Sequence, residues 1–326
     1  MRMSIRRRAA ALALTSTTII AATPIAAQDY PSRPIRIIVP FSPGGGSDLL
    51  ARLLAQRFQA SMGQAVTVDN RAGAGGNIGA DLTAKSPPDG YTLMLSTASL
   101  TVNVTLYPKL PFDARRDLVP ITQIASSPVV LTMHPSIPVR TVTELVALSR
   151  TAKGGLNYAS GGNGTTSHLA GVLLQQISGM QLTHVPYKGA GSQMAAQVSG
   201  EVELGFSVVI PVQPYLRAGK LRALAVCSRR KFSALPDVPT VDSTYLGFDI
   251  DNWYGLFAPG GTPATIVSRL HAEIVKDLQH PDVSGFMQRE GAERVGSSPA
   301  EFAALFGRDI DKYAKIVKSS GARPDS

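Results

Sequence analysis

Short runs of β-branched and aliphatic residues alternate along the chain with segments whose apolar residues recur at helical spacing. Residues 37–39 are a β-branched run typical of a strand that is buried on both faces. The next segment places apolar side chains as an amphipathic helix would: Leu49, Leu50, Leu53, Leu54 and Phe58. This alternation continues to the end of the chain without a long linker. The pattern predicts an α/β protein with mostly parallel sheets.

A glycine-rich turn separates the first strand from its helix. Residues 44–46 are all glycine, Ser47 or Asp48 is placed to cap the helix, and Gly63 is placed to end it. Such a turn gathers N–H groups at the positive end of a helix dipole, which attracts an anion. It lacks the lysine of a phosphate-binding loop, and Leu49 stands where a dinucleotide fingerprint needs glycine. The turn favours a smaller anion such as a carboxylate; a plain turn that binds nothing is the alternative.

Three later loops repeat parts of this arrangement. Residues 73–79 are glycine-rich, but Ile78 breaks the dinucleotide fingerprint, so the first interpretation is close packing of the next helix against its sheet. Ligand contact through Gly75, Gly76 or Asn77 is the alternative. The strand at 91–95 ends in small hydroxyl residues at 96–99, which either donate to a ligand or cap a helix. Residues 160–168 form another glycine loop before a helix at 169–177. Two such loops, one in each half of the chain, predict two lobes whose helix N-termini face each other across a cleft.

The composition indicates an exported globular protein. With 326 residues, 44% of them hydrophobic and 17% charged, the chain has core enough for two domains. Residues 1–27 combine four arginines, a small apolar stretch and a small-residue cleavage site, which predicts a signal peptide; an uncleaved anchor is the alternative. Without those arginines, 28 Lys and Arg remain against 23 Asp and Glu, a net charge of +5. These charges are scattered, so we expect no nucleic-acid partner.

The candidate catalytic and metal-binding groups do not combine into a recognised pattern. The five histidines lack metal-ligand spacing, and Cys227 is the only cysteine. Ser47 lacks the closing glycine of a nucleophile elbow, and His168 would lie in the first turn of its helix, where the dipole disfavours its charged form. We therefore expect no catalytic residue, no metal and no cofactor. The rival functions are an exported enzyme acting on an acidic metabolite and a ligand-sensing module for a membrane receptor.

Ordered segments along the whole chain after residue 27 resemble one known family. They include Tyr-Pro-Ser-Arg-Pro at 30–34, Pro-Gly-Gly at 43–45, Pro-Asp-Gly-Tyr at 88–91, His-Val-Pro-Tyr-Lys-Gly at 184–189 and Leu-Pro-Asp-Val-Pro-Thr at 235–240. Together they resemble the Bug family, the periplasmic solute-binding proteins of tripartite tricarboxylate transporters, also called TctC proteins. The resemblance implies a two-lobed, type II-like periplasmic binding fold with a mostly parallel sheet in each lobe, a hinge and an interlobe cleft.

The resemblance also implies boundaries, partners and a location. Residues 28–123 and 255–326 would form the first lobe and residues 124–254 the second, with hinges at about 120–126 and 250–256. The solute would be a di- or tricarboxylate, an aromatic acid or an acidic amino acid, delivered to a membrane permease of the transporter. We expect a monomer that works in the periplasm after cleavage near Ala27.

Proteins of this family hold one ligand carboxylate mainly through loop amides, hydroxyls and ordered waters, so the resemblance implies binding residues by position. In the first lobe they are Ser42, Gly45, Gly46, Asp48, Ser96, Thr97 and Ser99. In the second lobe they are Gly161, Asn163, Gly164, Thr165, Thr166 and Ser167, and Ser207 lies where the family varies its distal pocket. We expect Asp48 to cap its helix rather than to face the carboxylate. The residues at 42, 46 and 72 depart from the usual family pattern, so the loop shape and the solute stay open.

Overall fold

Two β-sheets and the helices around them make up residues 30–324, the part of the chain that the computed structural model describes. The predicted signal peptide at 1–27 lies outside the described residues. In chain order the strands are β1 (Ile35–Val39), β2 (Val66–Asn70), β3 (Thr92–Thr97), β4 (Leu118–Ser126), β5 (Val129–Met133), β6 (Leu156–Ser160), β7 (Leu182–Pro186), β8 (Leu204–Val208), β9 (Arg222–Val226), β10 (Trp253–Pro259) and β11 (Glu293–Arg294). The helices are α1 (Gly46–Met62), α2 (Asn77–Ala84), α3 (Ser99–Leu106), α4 (Val142–Thr151), α5 (Thr166–Ser178), α6 (Ala190–Val198), α7 (Val209–Arg217), α8 (Ala264–Leu278), α9 (Pro281–Glu290) and α10 (Pro299–Ser320).

The two sheets are built on the same plan. The first has the strand order β11-β4-β10-β3-β1-β2, and the second has the order β7-β6-β8-β5-β9. β1 is parallel to β2 and β3, and β6 is parallel to β7 and β8. β10 is antiparallel to β3 and β4, and β5 is antiparallel to β8 and β9. The predicted α/β class is confirmed, with mixed sheets. β5 and β10 are the strands by which the chain enters one sheet from the other, and no local pattern encodes their direction.

The chain passes between the sheets twice. The first passage consists of Ser127 and Pro128, because β4 ends at Ser126 and β5 begins at Val129. The second passage is the longer segment 227–252 between β9 and β10. The two passages touch, since the N–H of Ser127 donates to the C=O of Asn252 at 3.1 Å. Residues 120–126, one of the two expected hinge ranges, lie in β4, which continues up to the first passage.

The C-terminal helix α10 fastens the second passage. The Tyr313 hydroxyl donates to the C=O of Asp251 at 2.7 Å. The Trp253 indole N–H donates to the carboxylate of Asp309 at 2.8 Å. The apolar core beneath this helix contains residues from both sheets, and residues Pro31–Ser326 group as one compact unit. The passage is therefore held by side-chain and backbone bonds as well as by packing.

Several helices, among them α3, α5 and α7, differ from the sequence prediction. α5 begins at Thr166 rather than at Leu169, because the Thr165 hydroxyl accepts from the N–H of His168 at 3.2 Å and caps it. The hydrophobic pattern does not predict α3 at Ser99–Leu106. Nearly all of its side chains are buried, so it lacks the polar face that produces helical periodicity.

Candidate functional site

A small cavity lies where loops of the two sheets meet, and we call it the inner cavity. Its volume is about 50 Å³. Loops and strands of the first sheet contribute Phe41, Gly45, Gly46, Ser47, Thr97, Ser99 and Tyr254. The second sheet contributes Gly161, Thr165, Thr166, Ser167, Gly189, Ala190, Gln193 and Val208, and the second passage contributes Asn252. These lining residues include no Asp, Glu, Lys or Arg, so the chemistry of the cavity comes from amides and hydroxyls.

The N-terminus of α1 presents unused backbone donors to the inner cavity. Gly45, Gly46 and Ser47 are buried, and their N–H groups have no acceptor within residues 30–324. Buried backbone donors are nearly always satisfied in native proteins, by the chain itself, by water or by a ligand. Combined with the helix dipole, these three N–H groups form a site suited to an anion.

Asp48 braces this loop. Gly45 is the N-cap of α1, so neither Ser47 nor Asp48 is the capping residue expected from the sequence. The Asp48 carboxylate instead reaches back to accept from the N–H of Gly44 at 3.0 Å and pairs with Arg52 at 3.0 Å. Burial works to raise the pKa of Asp48, but the hydrogen bonds from Arg52 and Gly44 outweigh it and hold that pKa below its ordinary value. Asp48 is therefore charged, and its Oδ2 accepts from both the loop and Arg52.

Gly46 is a glycine because Tyr254 packs directly against it. A Cβ built on Gly46 would lie 2.0 Å from the Tyr254 hydroxyl oxygen and 2.7 Å from the ring carbon that carries it. Tyr254 belongs to β10, far from the loop in sequence, and its side chain is 2% exposed. The third glycine of the loop thus lets a strand from the other end of the chain close the floor of the inner cavity.

The loop before α5 is arranged differently, because its N–H groups are mostly used within the protein. The acceptors are Ser167 Oγ for Gly161 (3.0 Å), Ser160 Oγ for Gly162 (3.1 Å), His168 Nδ1 for Gly164 (3.3 Å) and Ser99 Oγ for Thr166 (3.2 Å). The sequence led us to expect an anion-attracting set of amides here as well. Two of those donors are taken by side chains of the first helical turn, Ser167 and His168, and the other two by Ser160 and Ser99, so this loop is a rigid wall with hydroxyl groups.

The second sheet supplies unused amides through α6 instead. Gly189 caps this helix with φ +136°, a conformation that favours glycine. The N–H groups of Ala190, Gly191 and Ser192 have no acceptor in the described chain. Ala190 faces the α1 loop, since a Cβ on Gly45 would lie 3.7 Å from the Ala190 Cβ. Two helix N-termini from different sheets therefore meet at the inner cavity, and the second of them is α6.

Direct hydrogen bonds join the loops of the two sheets around the cavity. The N–H of Ser42 donates to the C=O of Lys188 at 3.0 Å. The N–H of Thr166 donates to Ser99 Oγ at 3.2 Å, and the Tyr107 hydroxyl donates to the C=O of Asn163 at 3.4 Å. The cleft between the loops is therefore closed in this structure.

The structure brings eight of the fourteen predicted binding residues to the inner cavity: Gly45, Gly46, Thr97, Ser99, Gly161, Thr165, Thr166 and Ser167. The other six do not line it: Ser42, Asp48, Ser96, Asn163, Gly164 and Ser207. Ser207 lies behind Gln193, whose Nε2 donates to the Ser207 hydroxyl at 2.8 Å. Gln193 and Val208 line the cavity where the distal-pocket serine was expected.

Eight lining residues are absent from the predicted set: Phe41, Ser47, Gly189, Ala190, Gln193, Val208, Asn252 and Tyr254. Gly189 could have been found, because it stands between a strand and a helix as Gly45 does. The residues at 252 and 254 carry no local signal, since they reach the cavity only through the second passage.

A second cavity, which we call the outer cavity, adjoins the first. Its volume is about 300 Å³, and it shares Phe41 and Gly161 with the inner cavity. Asn163 lines it, opposite the second glycine loop at 73–76. Gly75 makes a close approach there, since a Cβ on it would lie 2.1 Å from the carbonyl oxygen of Asn163. The close packing expected of that loop is thus made against the second sheet's loop as well as against its own helix.

Comparison with known proteins decides the family. The family model described as the tripartite tricarboxylate transporter family receptor matches residues 50–322. The chain belongs to this family. The protein BugT of Bordetella pertussis is 36% identical over 324 residues, which cover 98% of this chain and 99% of BugT. The family resemblance drawn from the sequence is confirmed.

Solved structures of the family share the fold. An R. palustris protein whose structure was determined with adipate is 33% identical, with a TM-score of 0.87 over 91% of this chain and 100% of that one. MatC from Rhodopseudomonas palustris, with bound malate, is 31% identical, with a TM-score of 0.84 over 88% of this chain and 100% of MatC. The family and this fold are those of periplasmic solute-binding proteins rather than of enzymes.

Between residues 30 and 324, no helix is long and apolar enough to cross a membrane. The same stretch contains no group of three or more His, Cys, Asp or Glu side chains placed to hold a metal ion.

Proposed function

We propose that this protein is an extracytoplasmic solute-binding protein that captures a small carboxylate for a tripartite tricarboxylate transporter. The observation that carries the proposal is the set of three buried N–H groups at the start of α1, those of Gly45, Gly46 and Ser47, which have no acceptor in the described chain. A carboxylate oxygen satisfies such donors and is favoured by the helix dipole. The unused amides of α6 face the same cavity and add donors from the second sheet.

The two cavities divide the solute between them. The inner cavity, at about 50 Å³, has room for one small polar group, so it takes a carboxylate end. The outer cavity shares Phe41 and Gly161 with it and takes the remainder of the solute. Relatives determined with adipate and with malate support a dicarboxylate among the candidate solutes.

Capture is coupled to closure of the cleft. A ligand shifts a two-lobed protein towards the closed state only through contacts that both lobes make with it. The amides of α1 and α6 belong to different sheets, so a carboxylate between them makes such contacts. The closed protein then presents its solute to the permease subunits in the periplasm, after loss of residues 1–27. Lobe boundaries at 123 and 255 and a monomeric state are part of this proposal.

A thermal-shift screen of the purified chain tests the proposal. The panel is succinate, malate, adipate, citrate, benzoate and aspartate, each with its neutral amide as the matched control. A bound acid at about 100 times its Kd stabilises the folded state by about 2.7 kcal/mol, which raises Tm by several degrees. The neutral amides should leave Tm unchanged, because they lack the negative charge that the helix N-terminus favours. Equal shifts by acids and amides, or no shift by any acid, would refute carboxylate capture.

A further inference from the structure

Asn252 joins the inner cavity to both passages between the sheets. It is the last residue of the second passage, and its C=O accepts from the N–H of Ser127 in the first passage at 3.1 Å. Its side chain is 1% exposed and lines the inner cavity. The backbone of Asn252 thus lies where the two passages touch, and its side chain lines the inner cavity.

The side-chain amide of Asn252 is only half used. Its Oδ1 accepts from the Thr166 hydroxyl at 3.4 Å, while its Nδ2 has no acceptor within residues 30–324. A buried donor left unsatisfied destabilises the folded protein. Native structures carry few such groups, and each calls for an explanation such as an absent ligand or water. The protein therefore keeps a costly donor at this position.

Tyr254 adds a second donor two residues further along. Residues two apart on an extended chain point to the same side, and Tyr254 also lines the inner cavity. Its hydroxyl has no hydrogen-bond partner in the described part of the chain, although its side chain is 2% exposed. Burial raises the pKa of Tyr254 far above its ordinary range, so the hydroxyl keeps its proton and can donate. It lies against Gly46, and so beside the unused α1 amides.

We propose that Asn252 and Tyr254 are ligand-binding residues that donate hydrogen bonds to the oxygen atoms of the enclosed end of the solute. This inference rests on the proposed function and deepens it. With α1 amides, an asparagine amide and a phenol hydroxyl, the cavity offers donors and no carboxylate side chain. It therefore selects an end that carries only acceptor oxygens, a carboxylate without an adjacent ammonium group. Because the Asn252 C=O also accepts from the first passage, the solute is bound directly beside the point where the two passages touch.

Two conservative variants test the proposal by calorimetric titration with the six acids of the panel. Tyr254→Phe removes only the hydroxyl, and we expect Kd to rise about tenfold for each acid that the unchanged chain binds. Asn252→Asp keeps the acceptor for Thr166 but replaces the donor with a negatively charged oxygen, so Kd should rise more than about 100-fold. Asn157→Asp is the charge-matched control, since Asn157 is exposed on β6 and lines neither cavity; its Kd should stay within about twofold.

The Tm of each variant without ligand distinguishes a role in ligand binding from a role in packing. Removing an unsatisfied buried hydroxyl should leave the Tm of Tyr254→Phe equal or higher while its affinity falls, and a purely structural tyrosine would give the reverse. Should the unchanged chain bind an acid and both variants bind it equally well, this inference is overturned and carboxylate capture stands. Should the unchanged chain bind none of the six acids, both proposals fall together. Tighter binding of aspartate than of succinate would overturn the selection against an ammonium group.

Discussion

The chain builds a glycine loop in front of α1 and another in front of α5, and the two end up with opposite properties. In each, a strand is followed by glycines and then by hydroxyl residues near the helix start. Before α5, Ser167 and His168 reach back and accept two of the loop N–H groups. Before α1, Asp48 reaches back only to Gly44, and the next three N–H groups have no acceptor in the described chain.

The difference shows that the number of glycines does not decide whether a loop binds an anion. Glycine clears the space, but the side chains of the first helical turn decide whether the N–H groups are already used. Serine and histidine at the second and third positions of α5 accept two of the donors, and Ser160 and Ser99 accept two more, so that loop stabilises the wall of the cavity. At α1 the N–H donors remain available to a ligand. Three matched pairs of substitutions, with expected effects from large to small, can break this comparison.

The largest effect should come from adding one carbon to each loop. In Gly46→Ala the new Cβ would lie 2.0 Å from the buried Tyr254 hydroxyl, so the loop must move and its amides lose their alignment. We expect at least about 100-fold weaker binding of the best panel acid and a loss of about 1–3 kcal/mol in unfolding free energy. In Gly161→Ala the nearest atoms would lie 3.7 Å from the Cβ, an ordinary contact. Its Kd should change less than about threefold.

Titration calorimetry and urea unfolding of both variants decide this comparison. Equal losses of affinity for Gly46→Ala and Gly161→Ala would mean that the α5 loop holds the anion as much as the α1 loop does. In that case the internal hydrogen bonds of the α5 loop must open when the solute binds, and the contrast drawn above is wrong.

Most of the fold could be predicted from the sequence, because most strands and helices carry their own periodicity. The ends of β1 and α1 follow from the glycines that come after them, although the N-cap of α1 does not follow from the sequence. The site was harder, since it depends on where distant segments meet. Tyr254 follows the second passage between the sheets and contacts Gly46 only in the folded protein. No sequence pattern near either residue predicts that contact. The use of the α5 amides depends on rotamers of Ser167 and His168, which a sequence pattern does not fix.

Removing one hydroxyl from each loop should give a smaller effect on stability. Ser167 Oγ accepts from Gly161 and shares a hydrogen bond with Thr165 at 2.8 Å, so Ser167→Ala leaves a loop donor unsatisfied. We expect a loss of about 1–2 kcal/mol in unfolding free energy. The Ser47 hydroxyl has no hydrogen bond within the described residues, so Ser47→Ala should change it by less than about 0.5 kcal/mol. Equal losses in urea unfolding would contradict the assignment of α5 as the self-satisfied loop.

The smallest effect concerns the brace of the α1 loop and appears as a pH dependence. The pKa of Asp48 is depressed in the folded protein, so its contribution to stability is complete above the unfolded value near 3.8. That contribution disappears as the pH falls through the folded pKa. Asp48→Asn should therefore lower the unfolding free energy by on the order of 1 kcal/mol at pH 7, because Arg52 is half exposed and its pairing is screened. The gap between the two proteins should close in acid, as the pH falls through the depressed pKa of Asp48.

The matched control for Asp48 is Asp81, which pairs with Lys85 at the same helical spacing on α2, at 2.7 Å. Asp81 accepts no loop N–H, so Asp81→Asn should cost only the few tenths of a kcal/mol of a surface pair. Unfolding curves from pH 7 to pH 2 distinguish the two roles. If both variants lose the same stability at pH 7, the hydrogen bond to Gly44 adds no stability. Asp48 then forms an ordinary surface ion pair with Arg52 and does not brace the loop whose amides bind the ligand.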